Sequence, residues 1–177
     1  MRLISVNAGQ PREARWRGRI VRSAIWKDPL PGRVRVTKLH LDGDRQADPS
    51  LHGSADKAIY VYPSEHYAYW RRTLGELAWG SFGENLTTEG LLEDEVRIGD
   101  ALRIGSAVLE VTQPRTPCAK LAMRLQRPTI VREFMESRRC GFYCSVRLEG
   151  DVAAGDAIVW AERAPAMPTV TDLFVRS

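Results

Sequence analysis

Cys118 stands in the run Thr112-Gln113-Pro114-Arg115-Thr116-Pro117-Cys118-Ala119-Lys120-Leu121, the stretch best supplied with reactive chemistry. Arg115 lies three residues before the thiol and Lys120 two after it. Neighbouring cations stabilise a thiolate, the form that ligates metals and attacks electrophiles. Two prolines stop a sheet ladder, because proline has no N–H to donate, and each pushes the residue before it toward extended backbone. Together they predict a stiff turn that holds Cys118 in one place. The competing use of a free cysteine is as a small buried packing group. Charge and turn chemistry alone leave both uses open.

Two further stretches carry polar groups without an apolar period. Leu39 to Lys57 includes His52-Gly53-Ser54-Ala55-Asp56-Lys57 and reads as a working loop or a solvated one. Its acidic residues do not match the spacing of a calcium-binding EF-hand loop. Gly80-Ser81-Phe82-Gly83-Glu84-Asn85-Leu86 has two glycines that let a ligand approach the main chain, and an Asn that can donate and accept. A simple turn is the bland reading of the same residues.

The three cysteines, Cys118, Cys140 and Cys144, cannot all pair within one chain, and their spacing fits neither a disulfide framework nor a CxxC zinc site. That usage predicts a reducing compartment, the cytoplasm. Cys140 follows Arg138-Arg139 and could be a surface thiol, whereas Cys144 reads as packed within a strand.

These residues need a scaffold, and the chain reads as β-rich. Strands are expected at Arg2–Ala8, Gly18–Ile25, Arg33–Thr37, Ala58–Tyr62, Ala107–Val111, Phe142–Leu148 and Asp156–Ala161, from β-branched and aromatic content or alternation. Two short strands are expected about Gly99-Asp100. Gln10–Arg15 reads as a polar turn, and Glu93-Asp94-Glu95 as a solvated edge. Helices are expected at Glu65–Leu74, capped by Ser64, and at Pro128–Ser137, with proline in the first turn. Tyr67, Trp70 and Leu74 share the core face of the first; His66 lies off that face and reads as solvated.

At 177 residues the chain is expected to form one domain, 1–164, followed by a short tail, 165–177. No apolar run reaches the roughly 20 residues of a membrane span, and the N-terminus lacks the core of a signal peptide. A net charge of +4, scattered, weakly favours anionic ligands and argues against a nucleic-acid polymer.

Taken together, the informative stretches follow a recognisable order. Leu39 to Asp48, His52-Gly53 with Asp56-Lys57-Ala58, Tyr62-Pro63 with Glu65-His66-Tyr67 and Trp70, Phe82 to Leu86, Ile98-Gly99-Asp100, and Gln113-Pro114-Arg115 with Pro117-Cys118 and Lys120-Leu121 succeed one another. This set resembles the MOSC domain family, named for the C-terminus of molybdenum cofactor sulfurases, and most closely its YiiM-like branch. The resemblance runs from about Arg17 to Trp160. It implies a compact, mostly antiparallel β-barrel with a few helices. It also implies molybdenum cofactor (molybdopterin) as ligand, with the Cys118 thiolate on the metal. Lys27, His52, Gly53, Lys57, Asn85, Arg115 and Lys120 are the candidates to surround it, Lys27 by analogy with a basic residue after the second strand. A soft sulfur donor suits such a metal, and fixed cations suit the cofactor's phosphate.

The implied reaction is reduction of small N-hydroxylated compounds, such as hydroxylaminopurine-like base analogues, to amines, with electrons from an external donor protein. Two rival functions use the same cysteine: a sulfur carrier with a Cys118 persulfide, and a non-catalytic module that stores or delivers the cofactor. The chain departs from the family's frequent HGG at His52-Gly53-Ser54, where Ser54 adds a Cβ and hydroxyl. It stops at Ser177, where YiiM-like proteins commonly begin a three-helix extension. A role of that extension in docking a donor would here be missing or supplied by another chain.

Overall fold

The computed structural model describes residues 1–45 and 54–175. His52 and Gly53, two of the candidate ligand-binding residues, lie outside the described residues. The fold is mostly β, with twelve strands and four helices among the described residues.

Eight strands form one sheet in the order β12 (Ile158–Glu162), β8 (Ala101–Ile104), β9 (Ala107–Pro114), β10 (Phe142–Leu148), β6 (Ile59–Pro63), β7 (Leu86–Glu89), β1 (Arg2–Ala8) and β4 (Asp28–Pro29). Pairing is antiparallel except between β6 and β7. The expected barrel is only loosely realised, because no continuous ladder closes the sheet. Instead, an isolated bridge joins Arg2 to Ala157. The Leu3 N–H donates to the Asp156 carbonyl at 2.9 Å, and the Ile158 N–H to the Met1 carbonyl at 3.0 Å. The first strand thus reaches the start of the last without forming a full ladder.

Two small ribbons flank the sheet: β5 (Arg33–Val36) with β11 (Gly150–Ala153), and β2 (Arg12–Trp16) with β3 (Arg19–Ser23). β2 replaces the turn expected over Gln10–Arg15. It lacks an apolar alternation because cross-strand pairing with β3, rather than burial, holds it extended.

The core is built on aromatic residues. Helix α1 (Glu65–Leu74) lays Tyr67 and Trp70 onto Tyr62 and Phe82, as its apolar stripe predicts. Trp70 stacks on Phe134 of helix α3 (Ile130–Ser137) at 5.8 Å, and its indole N–H donates to the Tyr62 hydroxyl at 2.8 Å. Ser64 precedes α1 but makes no side-chain cap. His66 is buried, not solvated: its Nε2 lies 2.8 Å from a carboxylate oxygen of Glu93. Glu93 is buried too, and it also accepts the Gly141 N–H. A partner 27 residues away explains both departures from the sequence reading. Before Gly99, Arg97 makes one isolated bridge to Thr169 in place of the expected strand. Helix α4 (Val170–Phe174) buries Val170 and Phe174 in the core and is started by a capping box between Thr169 and Asp172.

Candidate functional site

β9 runs through Pro114, whose neighbour on β10 is Phe142. The ladder ends there, as a proline requires. Arg115 is turned inward just past this end. Its backbone N–H donates to the Gly141 carbonyl at 3.3 Å. Gly141 has φ +63°, and a Cβ on it would fall 2.4 Å from the Val61 carbonyl oxygen, so only glycine lets β10 start so close to β6. The Arg115 guanidinium lies 5.3 Å from the ring centroids of both Tyr60 and Phe134. It is only 5% exposed, and its Nη1 has no hydrogen-bond partner among the described residues. Arginine stays charged in proteins, so this is a buried cation with a donor unmet.

Cys118 follows Pro117 in extended conformation (φ −131°, ψ 173°) and sits at the N-cap of helix α2 (Ala119–Arg124), an element absent from the sequence reading. Its side chain makes no cap bond and is exposed. Cys140 and Cys144 are both buried, and burial pushes their thiols well above the ordinary range. Exposure therefore separates one thiol from the other two. For Cys140, the adjacent arginines suggested a surface position that the start of β10 does not allow.

The loop between α1 and β7 forms another wall. Glu84 is fully buried and its carboxylate accepts from the Gly80 and Phe82 N–H groups at 2.9 and 3.1 Å, the Thr87 hydroxyl at 2.9 Å and the Tyr67 hydroxyl. Burial raises its pKa, and these donors oppose the rise. Wrapped around Glu84, the loop turns Gly83 and Asn85 into the cleft. The Asn85 side chain is fixed at both ends: its oxygen accepts from the Tyr60 N–H at 3.1 Å, and its nitrogen donates to Asp44 at 2.8 Å.

Asp44 is a hub that sequence reasoning missed. Besides Asn85 it accepts from the Gly9 N–H at 2.9 Å and from Lys27 Nζ at 2.5 Å. Burial lowers the Lys27 pKa and the Asp44 charge opposes that shift. The Asp-Gly-Asp turn at 42–44 was a visible signal in the sequence, but its partners lie 17 to 41 residues away.

One cleft collects these parts. It is lined by Lys27, Lys57, Asn85, Arg115, Cys118 and Lys120, six candidates drawn from separate parts of the chain. Ser23 to Ile25, Asp44, Arg45, Ala58, Tyr60, Gly83 and Tyr143 complete the lining. The cleft holds a cavity of about 140 Å³ and opens to solvent. Lys57 comes from a 3-10 turn, Ala55–Lys57, which is tied to β9 by the Thr112 hydroxyl donating to the Asp56 carbonyl at 2.6 Å.

The chemistry of this set is anion recognition beside a thiol. Arg115, Lys57 and Lys120 supply positive charge, and the Lys27 charge is already matched by Asp44. Among the described residues no three His, Cys, Asp or Glu side chains gather to hold a metal ion. A metal held here by Cys118 would have to bring its other ligands with it. An anionic metal–organic group fits that donor set, with the unmet Arg115 Nη1 as an anchor.

Residues 48–159 match the family model of the MOSC domain. The chain is 41% identical over 136 residues to YiiM of Escherichia coli, covering 75% of this chain and 61% of that protein. It is 34% identical over 168 residues to a reductase of Gibberella moniliformis, covering 91% of this chain but only 29% of the fungal protein. The chain thus spans less than two thirds of the length of either relative. The crystal structure of YiiM from Geobacillus stearothermophilus superposes with a TM-score of 0.81 at 35% identity, over 98% of this chain and 81% of that one. The matched residues include five of the six cleft candidates, all but Lys27, and the superposition extends over the whole β scaffold; the chain belongs to the MOSC domain family.

Proposed function

We propose that this chain binds molybdenum cofactor in the cleft and reduces small N-hydroxylated compounds to amines. The observation that carries this reading is the pairing of an exposed, anchored thiol at Cys118 with the buried, unmatched Arg115 guanidinium in one cleft. The MOSC membership and a relative named as a reductase support the oxidoreductase class.

When bound, the cofactor supplies a metal centre able to take oxygen and exchange two electrons. The chain's residues do the rest. Cys118 offers a thiolate sulfur, a soft donor for the metal. Arg115, Lys57 and Lys120 hold the anionic part of the cofactor through charge-assisted hydrogen bonds. Tyr143, only partly buried in the cleft wall, provides a ring for a planar substrate, such as a hydroxylaminopurine-like base. Asn85, held rigid by Asp44 and the Tyr60 N–H, presents a fixed polar contact. The overall change is R–NHOH plus two electrons and two protons giving R–NH₂ and water. The electrons come from an external donor protein and the protons from solvent.

The test is Cys118→Ser, purified from a host that makes the cofactor. Molybdenum content should fall at least about tenfold, and hydroxylamine reduction with methyl viologen as reductant should vanish. The Tm should hold, because the side chain is exposed and makes no cap bond. Full molybdenum and full turnover in the variant would sink the reading. Wild-type protein free of molybdenum but carrying a Cys118 persulfide would replace it with the sulfur-carrier function.

A further inference from the structure

The β2–β3 ribbon is the most basic segment of the chain. Arg12, Arg15, Arg17, Arg19 and Arg22 fall within eleven residues that contain a single acidic residue, Glu13. All five arginines are exposed, and among the described residues none of them forms an ion pair. The register sets the faces. The pairs Ala14–Val21 and Trp16–Arg19 lie on one side, where Trp16 packs against the core. Glu13–Arg22 and Arg15–Ile20 lie on the other, and there Ile20 is 67% exposed. The ribbon turns at Arg17 and Gly18, both with positive φ.

This ribbon adjoins the cleft. β3 ends at Ser23, and Ser23, Ala24, Ile25 and Lys27 line the cleft directly. The Arg12 charge also reaches Arg124 on α2, the helix that begins at Cys118. Burial lowers the Arg124 pKa and Arg12 lowers it further.

We propose that the exposed arginines of the β2–β3 ribbon dock the acidic surface of the electron-donor protein, bringing its redox centre to the mouth of the cleft. The proposal rests on the reductase reading, which requires an external donor. Charge complementarity identifies the occupant as acidic, and the shape of the charge favours a folded protein over a polyanion. Five arginines are grouped on one short ribbon, Glu13 is interspersed among them, and the exposed Ile20 lies across from Arg15. Ile20 is also two residues from Arg22, and arginine beside exposed apolar surface is enriched at protein interfaces. Two donors in one-electron reduced form would be oxidised for each R–NHOH converted with two protons to R–NH₂ and water.

The test uses holoprotein and an acidic [2Fe–2S] ferredoxin as probe, with the triple variant Arg15→Glu, Arg19→Glu, Arg22→Glu. Turnover is measured with reduced ferredoxin and, separately, with methyl viologen; calorimetric titration of oxidised ferredoxin reads docking without turnover. Expected are a rise of at least about tenfold in KM for ferredoxin, a matching loss of ferredoxin affinity, and unchanged viologen kinetics. Wild-type ferredoxin binding should weaken steeply with salt. Ferredoxin affinity equal in wild type and variant, or absent in both, overturns the proposal. So does a variant that loses binding to a 20-base-pair DNA duplex or to anionic vesicles while ferredoxin kinetics hold. Absence of viologen turnover in the wild type would instead defeat the reductase reading, and the calorimetric comparison would still decide whether the ribbon docks an acidic protein.

Discussion

Two cations are buried in the same cleft wall, and the chain treats them differently. Lys27 Nζ is matched by the Asp44 carboxylate at 2.5 Å, and that carboxylate is satisfied by Asn85 and Gly9 as well. Arg115 is as deeply buried, faces two aromatic rings and has no carboxylate among the described residues. A buried charge is costly unless paired. Lys27 is thus part of a finished internal network, whereas Arg115 keeps its charge available to something that enters from outside. Counting both as ligand-binding cations, as their residue types invite, hides this distinction.

The sharpest way to break the comparison is to remove the Lys27 partner. Asp44→Ala strands a buried ammonium and frees one end of Asn85, so it should cost about 3–5 kcal/mol of stability. Chemical denaturation reads the loss, and the double variant Asp44→Ala with Lys27→Met should recover most of it. A cost below about 1 kcal/mol would mean that the pair is solvated in solution.

Arg115 should respond in the opposite way. Arg115→Met removes a charge with no carboxylate partner, so Tm should change by less than about 4 °C, the equivalent of roughly 1 kcal/mol. Cofactor retention, in contrast, should drop by about ten- to hundredfold, the worth of a charge-assisted hydrogen bond. The two are read from one preparation by a melting curve and by molybdenum content. A large loss of Tm with retention intact would make Arg115 a structural residue like Lys27.

The smallest expected effect is a pH dependence. Burial lowers the Lys27 pKa in the folded chain, against the pull of Asp44. The unfolded chain therefore holds its proton to higher pH, and on this account stability rises as pH climbs toward the ordinary lysine value. Lys27→Met lacks that contribution. The Tm difference between wild type and Lys27→Met, followed from pH 8 to 10, should shift by about 1–3 °C in favour of the wild type. Tyrosine ionisation acts on both proteins and cancels in the difference. A flat difference would place the Lys27 charge change outside the window.

What was legible in advance follows from range. Strands β1, β5, β6 and β10 and helix α1 declare themselves through local apolar pattern. The prolines around Arg115 and Cys118 likewise mark a stop in the ladder without help from elsewhere. Cys118, Asn85, Arg115 and Lys120 could be singled out because their neighbours in sequence already suggest their chemistry. The Asp44 hub, the His66–Glu93 pair and the burial of Cys140 depend on partners far along the chain, and no local pattern encodes them. β2 escaped notice for the same reason: its extended shape comes from β3, and its arginines look like loop residues until the register is known.

The seam between β1 and β12 has a consequence for how the chain is made. Residues 1–8 are synthesised some 150 residues before their partners, yet Met1 and Leu3 bond to segments around residues 155–158. The partner strand β7 appears only at Leu86–Glu89. The strand β1 must therefore wait, half paired, until residues 155–158 have been synthesised. Such non-local closure slows folding and leaves an open strand edge during translation.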